Sequence, residues 1–229
     1  MTTEPKKVII IGGTGNGSVV AAAIDEANAW GDNSWQMAGY LNDRHDIGEE
    51  IEGYPVLGRL ADVQTFIQQG YYFIYAIFRI DGQDKRMAMF EGLNIPRDRL
   101  ATFIHPASYV AGNTEISPGC VIMPQASISS GARLGLGTVV MVNATVGHNS
   151  KIGKLCHIAA QACLGSYLQF GDGVHIGLNA TIREGLILAN RSTVAMGAVL
   201  LNDIAEDEIW AGVPAKFLRR AVKEFNDVE

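Results

Sequence analysis

The 229-residue sequence predicts two units in tandem, a small Rossmann-like α/β unit over residues 1–104 and a parallel β-helix over residues 105–229. Three observations predict this. Short apolar runs alternate with helix-like patterns as far as Ile104. A glycine-rich turn, Gly12-Gly13-Thr14-Gly15-Asn16-Gly17, follows the first apolar run. From Val110 to Leu200 every sixth residue is large and apolar, sixteen in succession with no slip of register.

In the front unit, Val8–Ile11 reads as a buried strand and Ser18–Trp30 as a helix whose Val20, Ile24 and Ala27 share a face. A strand, a glycine turn and a helix in that order present unpaired backbone N–H groups and the positive end of a helix dipole to a diphosphate. The same turn also suits close helix–strand packing without any ligand, and the residues alone leave both readings open. Met37–Leu41 reads as a second strand ending in Asn42-Asp43, where an acidic residue meets a ribose or base in such units. Leu60–Gln69 follows as a helix stopped by Gly70, then Tyr71–Ile77 as a strand, Gln83–Leu93 as a helix and Ala101–Ile104 as a last strand. The ligand edge of such a sheet lies at the carboxyl ends of its strands. Arg79 and Arg86 are placed either to reach a phosphate there or to stay solvated, and His45 reads as a loop residue.

In the back unit a small residue stands two before most of the periodic apolar ones, as in Ala126 before Ile128 and Ala144 before Val146. Both then point inward from one short strand. Three strands and three corners make a coil of 18 residues, about five coils in all, and each needs stacked neighbours to bury its core. The 26 glycines read as a demand for tight turns, and Gly135, Gly147, Gly153, Gly165, Gly171 and Gly177 all stand just after an inward residue. With the inward positions taken, reactive groups belong at corners or on outward faces. His148 falls at a corner, followed by Asn149. His157 and His175 point outward one coil apart and are expected to stack about 4.8 Å from each other. A neutral imidazole suits the removal of a proton from an amine or hydroxyl. His105, held extended by Pro106, is assigned to structure.

Composition excludes several classes. A net charge of -6 with no basic block argues against nucleic acid. Three irregularly placed cysteines form no disulfide framework and no C-x-x-C zinc motif. No apolar run approaches the roughly 18 residues of a membrane span, and a cytoplasmic location is expected. A zinc site built on His157 and His175 lacks a third histidine on their face, so no metal is expected.

Certain segments carry a resemblance beyond the repeats: Tyr40-Leu41-Asn42-Asp43, Tyr54-Pro55-Val56-Leu57-Gly58, Ile104-His105-Pro106, and the closing Trp210-Ala211-Gly212-Val213-Pro214-Ala215-Lys216. With them the chain resembles the hexapeptide-repeat acyltransferases, and among these the bacterial nucleotide-sugar N-acetyltransferases and sialic acid O-acetyltransferases of polysaccharide and glycan synthesis. The resemblance implies a left-handed coil, a homotrimer with active sites at subunit interfaces, acetyl-CoA as acyl donor and a nucleotide-linked amino sugar whose amino group is acetylated. It places His148 as catalytic base with Asn149 as its neighbour. His157, Gly165, Ser166, Leu178, Met196, Gly197, Pro214 and Lys216 would hold the donor. Gly12, Gly13, Thr14, Gly15, Asn16, Asn42 and Asp43 would hold the nucleotide sugar. Three positions depart from the family pattern: Asn149 and Asn42 stand where it has acids, and Asn16 where it has a histidine. A nucleotide-sugar-binding scaffold without activity is the alternative that Asn149 and Asn16 leave, and sugar O-acetylation is a second, since nothing in the sequence separates N- from O-acylation.

Overall fold

The computed structural model describes residues 5–222; residues 1–4 and the tail after 222, which fall within the two ranges above, lie outside the described residues. The front unit is a five-stranded sheet with helices against it. Its elements are β1 (Lys6–Ile11), α1 (Asn16–Ala29), β2 (Trp35–Leu41), β3 (Glu50–Ile51), β4 (Tyr54–Gly58), α2 (Val63–Gln68), β5 (Tyr72–Tyr75) and α3 (Gln83–Gly92). The strand order is β3-β4-β2-β1-β5, parallel throughout except for the antiparallel edge pair β3–β4. Strand β1 is central, so both its faces are covered: Val8 and Ile10 pack with Val20 and Ile24, while Ile9 and Ile11 pack with Leu41 and Phe73 on the other side.

Three expected elements differ. The helix expected over Leu60–Gln69 is a 3₁₀ turn (Leu60–Asp62) followed by α2, because the Asp62 carboxylate accepts the Arg59 N–H at 2.8 Å and tightens the first turn. The strand expected over Tyr71–Ile77 stops at Tyr75. The expected last strand, Ala101–Ile104, forms only over Phe103–Ile104 and pairs with Val121–Ile122 of the coil, while the front sheet is met by a parallel bridge between Leu100 and Phe73, where the Ala101 N–H donates to the Phe73 carbonyl at 2.8 Å. It opens the β-helix.

From there two-residue strands recur every six residues and pair in parallel with partners 18 positions away, as Ser127 does with Tyr109 and Thr145. They line up into three sheets, the faces of a triangular coil. The inward residues, Ile122, Ile128, Leu134, Val140 and their successors, fill one continuous core with the small residues Ala126, Ala132 and Ala144 between them. The glycines after the inward residues meet a need other than turning. A Cβ on Gly147 would come within 2.3 Å of the Gly165 carbonyl oxygen in the next coil, so these positions let stacked backbones approach. The turning falls two residues later, where the chain takes a left-handed conformation at Asn143, Asn149, Leu155, Gln161, Tyr167 and Asn179. A closing hairpin, Glu208–Gly212 with Ala215–Arg220, ends the stack.

The loop after β5 and helix α3 lie against this coil. Gln83 Nε2 donates to Thr193 Oγ1 at 3.0 Å, Lys154 pairs with Glu91 at 2.7 Å, and Arg219 binds both Asp81 carboxylate oxygens at 2.8 Å. Cys120 and Cys156 are buried free thiols and Cys163 an exposed one. No described helix is long and apolar enough to cross a membrane.

Candidate active site

At the carboxyl ends of β1, β2 and β5 lies a cavity of about 670 Å³. Of the seven residues expected there, Gly12, Gly13, Thr14, Asn16, Asn42 and Asp43 line it. Gly15 does not; it caps α1 from outside at φ 87°. Helix α1 starts at this wall with no acidic residue in its first turn, which leaves its positive end unneutralised. The far wall brings Arg44, His45, Arg79, Lys85 and Arg86, and of these the sequence offers only Arg79 and Arg86 as groups that could reach a ligand, with solvation as the other reading.

Asn42 has a structural task as well as a place in the cavity wall. It is buried, its Nδ2 donates to the Gly12 carbonyl at 2.9 Å, and its Oδ1 accepts from the Arg44 and His45 N–H groups at 2.7 and 3.1 Å. The side chain latches the glycine turn to the loop after β2, with one Nδ2 hydrogen and the Oδ1 lone pairs committed to the backbone. Gly13 makes room for it, since a Cβ there would stand 2.5 Å from Asn42 Nδ2. Arg59, which no motif pointed to, holds the same loop by donating from Nη1 to the Asn42 and His45 carbonyls. Asp43 accepts the Leu60 N–H through Oδ1 at 2.9 Å. Arg86 spends its guanidinium on the Asp81 and Arg79 carbonyls, and burial pushes it down to about 10.

His148 stands exposed on a corner of the coil, as expected, and does not line this cavity. Its Nδ1 lies 2.9 Å from Asn149 Oδ1. A carbonyl oxygen only accepts, so the ring proton sits on Nδ1 and Nε2 presents a lone pair. Tyr167 packs on the ring, centroids 4.9 Å apart at 81°.

His157 and His175 do stack, with centroids 5.0 Å apart and rings within 10° of parallel. The expectation that His157 is open to an acyl donor is not met. Phe78, from the loop after β5, covers it at 5.0 Å, and the imidazole is 6% exposed with neither nitrogen hydrogen-bonded. Burial first, then the His175 and Arg86 charges, push His157 down to about 3; burial and Arg86 push His175 down to about 4. The sequence shows which way His157 faces along the coil, but not that a segment 79 positions earlier lies on it.

The remaining donor-side residues divide between two edges. Gly165 and Ser166 stand one coil above Gly147 and His148. Leu178 and Met196 stack one coil apart on the adjacent corner, 52% and 67% exposed, followed by Gly197. Pro214 and Lys216 lie exposed in the closing hairpin. Within one chain these groups do not converge on His148. No group of three or more His, Cys, Asp or Glu among the described residues is placed to hold a metal ion.

Comparison with known proteins bears on this layout. Residues 7–80 match the family model of the PglD N-terminal domain. The acetyltransferase domain of PglB from Neisseria gonorrhoeae FA1090, solved with acetyl coenzyme A, superposes with a TM-score of 0.80 at 27% identity, over 93% of this chain and 100% of that one. The chain has the architecture of the hexapeptide-repeat acyltransferases. A mutant perosamine N-acetyltransferase from Caulobacter crescentus, in complex with CoA and GDP-perosamine, shares the fold at a TM-score of 0.80 and 23% identity over 93% and 97% of the two chains. WeeI from Acinetobacter baumannii AYE does so at 0.76 and 21%, over 93% and 100%. The fold class is a Rossmann-like unit followed by a left-handed parallel β-helix. Among curated proteins no match is found.

Proposed function

We propose that this protein transfers the acetyl group of acetyl-CoA to the amino group of a nucleotide-linked amino sugar, in the making of a surface polysaccharide or glycan. One observation carries the reading. His148, proton on Nδ1 and lone pair on Nε2, stands on an exposed corner of a fold shared along 93% of the chain with an acetyltransferase domain solved with acetyl-CoA. Residues 1–104 hold the acceptor in the cavity at the glycine turn, and residues 105–229 supply the donor site. The cavity lies within the range of small-molecule sites, and its α1 terminus with Lys85 suits a phosphate-bearing ligand.

In the reaction the sugar amine attacks the thioester carbonyl carbon. His148 Nε2 takes the amine proton as the C–N bond forms, the C–S bond breaks, and the proton passes to the departing thiolate. The Ser166 N–H, next to Gly165 and not spent on a carbonyl among the described residues, holds the oxygen that gains charge. Asn149 keeps the tautomer without adding the negative charge that an acid would contribute to the protonated ring.

The division of donor residues between two edges supports a homotrimer, in which the Leu178–Met196 edge and hairpin of one subunit meet the His148 edge of the next. Three free thiols fit a reducing, cytoplasmic setting. The test is His148→Ala. Turnover should fall by about 10² to 10⁴-fold, the usual contribution of a general base, with the oligomeric mass unchanged in light scattering. Retained turnover contradicts the assignment.

A further inference from the structure

We propose that Tyr167 is a positioning residue for His148, an inference that rests on the reading of His148 as the base. Position 167 belongs to the column of corner residues Gly131, Asn149, Tyr167 and Gly185, all left-handed, with φ of 58° at Tyr167. An aromatic side chain is uncommon in that conformation, and such outliers gather where the surroundings use them. Two other bulky residues held this way have evident structural tasks. Leu155 is buried in the junction with the front unit, and Arg191 pairs with Glu206 and with Asp207, at 2.7 Å to the latter. Tyr167 is 58% exposed, and its hydroxyl makes no hydrogen bond among the described residues. Two interactions tie it to His148: the ring meets the His148 imidazole, and its N–H donates to the His148 carbonyl at 2.9 Å.

The column is shaped around that contact. A Cβ on Gly131 would stand 2.7 Å from Asn149 Nδ2, so glycine there leaves space for the amide that fixes Nδ1. On the other side, Tyr167 closes against the imidazole. A solvent-exposed histidine held by one hydrogen bond still rotates about its side-chain torsions. The aromatic wall removes those rotamers and keeps the imidazole on Asn149, so Nε2 stays aimed at the incoming nucleophile. Misplacing a reacting group by about 1 Å costs up to roughly 10²-fold in rate.

The experiment compares Tyr167→Gly, Tyr167→Asn and Tyr167→Phe as full-length protein, with acetyl-CoA and the accepted nucleotide sugar, beside His148→Ala. Glycine and asparagine both suit a left-handed corner, so these variants should fold and melt no lower than the parent. The expected result is a kcat lower by about tenfold or more in Tyr167→Gly and Tyr167→Asn, with both KM values within about twofold, and parental kcat in Tyr167→Phe. Nitrogen NMR of the His148 ring should show the Nδ1-protonated tautomer giving way to a mixture in Tyr167→Gly. Parental kcat in Tyr167→Gly, with His148→Ala inactive, overturns the role of Tyr167 and leaves the base in place. Full activity in both overturns the base itself. A Tyr167→Phe as slow as Tyr167→Gly, or a rise confined to KM, also overturns positioning by the ring.

Discussion

The structure asks more of position 42 than a carboxylate can do. It must donate to the Gly12 carbonyl as well as accept from two N–H groups, and only an amide offers both. Asn42→Asp should therefore destabilise the protein by about 1–3 kcal/mol, since it removes a buried donor and sets a carboxylate oxygen against a carbonyl. Chemical denaturation at neutral pH checks this, and an unchanged midpoint would rule out the latch. The sequence shows that residue 42 ends a strand beside the glycine turn. It does not show the partner, because the loop that turns Asn42 inward is held by Arg59, 17 positions away. Asn149 was legible on both counts: its partner is its neighbour in sequence, and its left-handed corner recurs every six residues.

At the scale of elements, the β-helix could be read from its period because each six-residue unit commits one large residue to the core. Its cover could not. The loop after β5 and helix α3 pack on the coil through Phe78, Gln83, Lys154–Glu91 and Asp81–Arg219, contacts between residues 63 to 138 positions apart that no local pattern announces. This packing makes stability depend on pH. His157 and His175 are neutral in the folded protein, with affinities for protons pushed down to about 3 and about 4, while the unfolded chain binds protons near the ordinary value of about 6.5. A depressed histidine contributes its full stability above roughly pH 6.5 and loses it as the pH falls toward the folded value, at up to about 1.4 kcal/mol per pH unit for each ring. Tyr75, Arg79 and Arg86 are the other titratable or charged groups lining the small cavity at the pair, and none of them is a carboxylate that would stabilise the protonated rings. Denaturation between pH 7 and pH 4.5 should show this decline, and His157→Phe should flatten it by about half. The same slope in both proteins would mean that the pair does not govern it.

For the whole molecule, the Rossmann-like unit and the triangular coil follow the sequence reading, while the beginning of the coil at Phe103 and the burial of His157 do not, and the closing hairpin is not among its expectations. The first two exceptions lie where the units meet. The cavity at the glycine turn and His148 lie apart in one chain, and the residues proposed to hold the donor lie on separate edges, which is the physical reason the account calls on neighbouring subunits. Its central claim is acetyl transfer to a nucleotide-linked amine. Purified protein should be incubated with acetyl-CoA and, in turn, amino sugars linked to UDP, GDP, dTDP and CMP, with free thiol and product mass followed together. The account predicts thiol release that requires one of these sugars, matched by a product heavier by one acetyl group on nitrogen. Binding of such a sugar with no thiol released beyond the rate of hydrolysis would contradict it and leave a nucleotide-sugar-binding scaffold in its place.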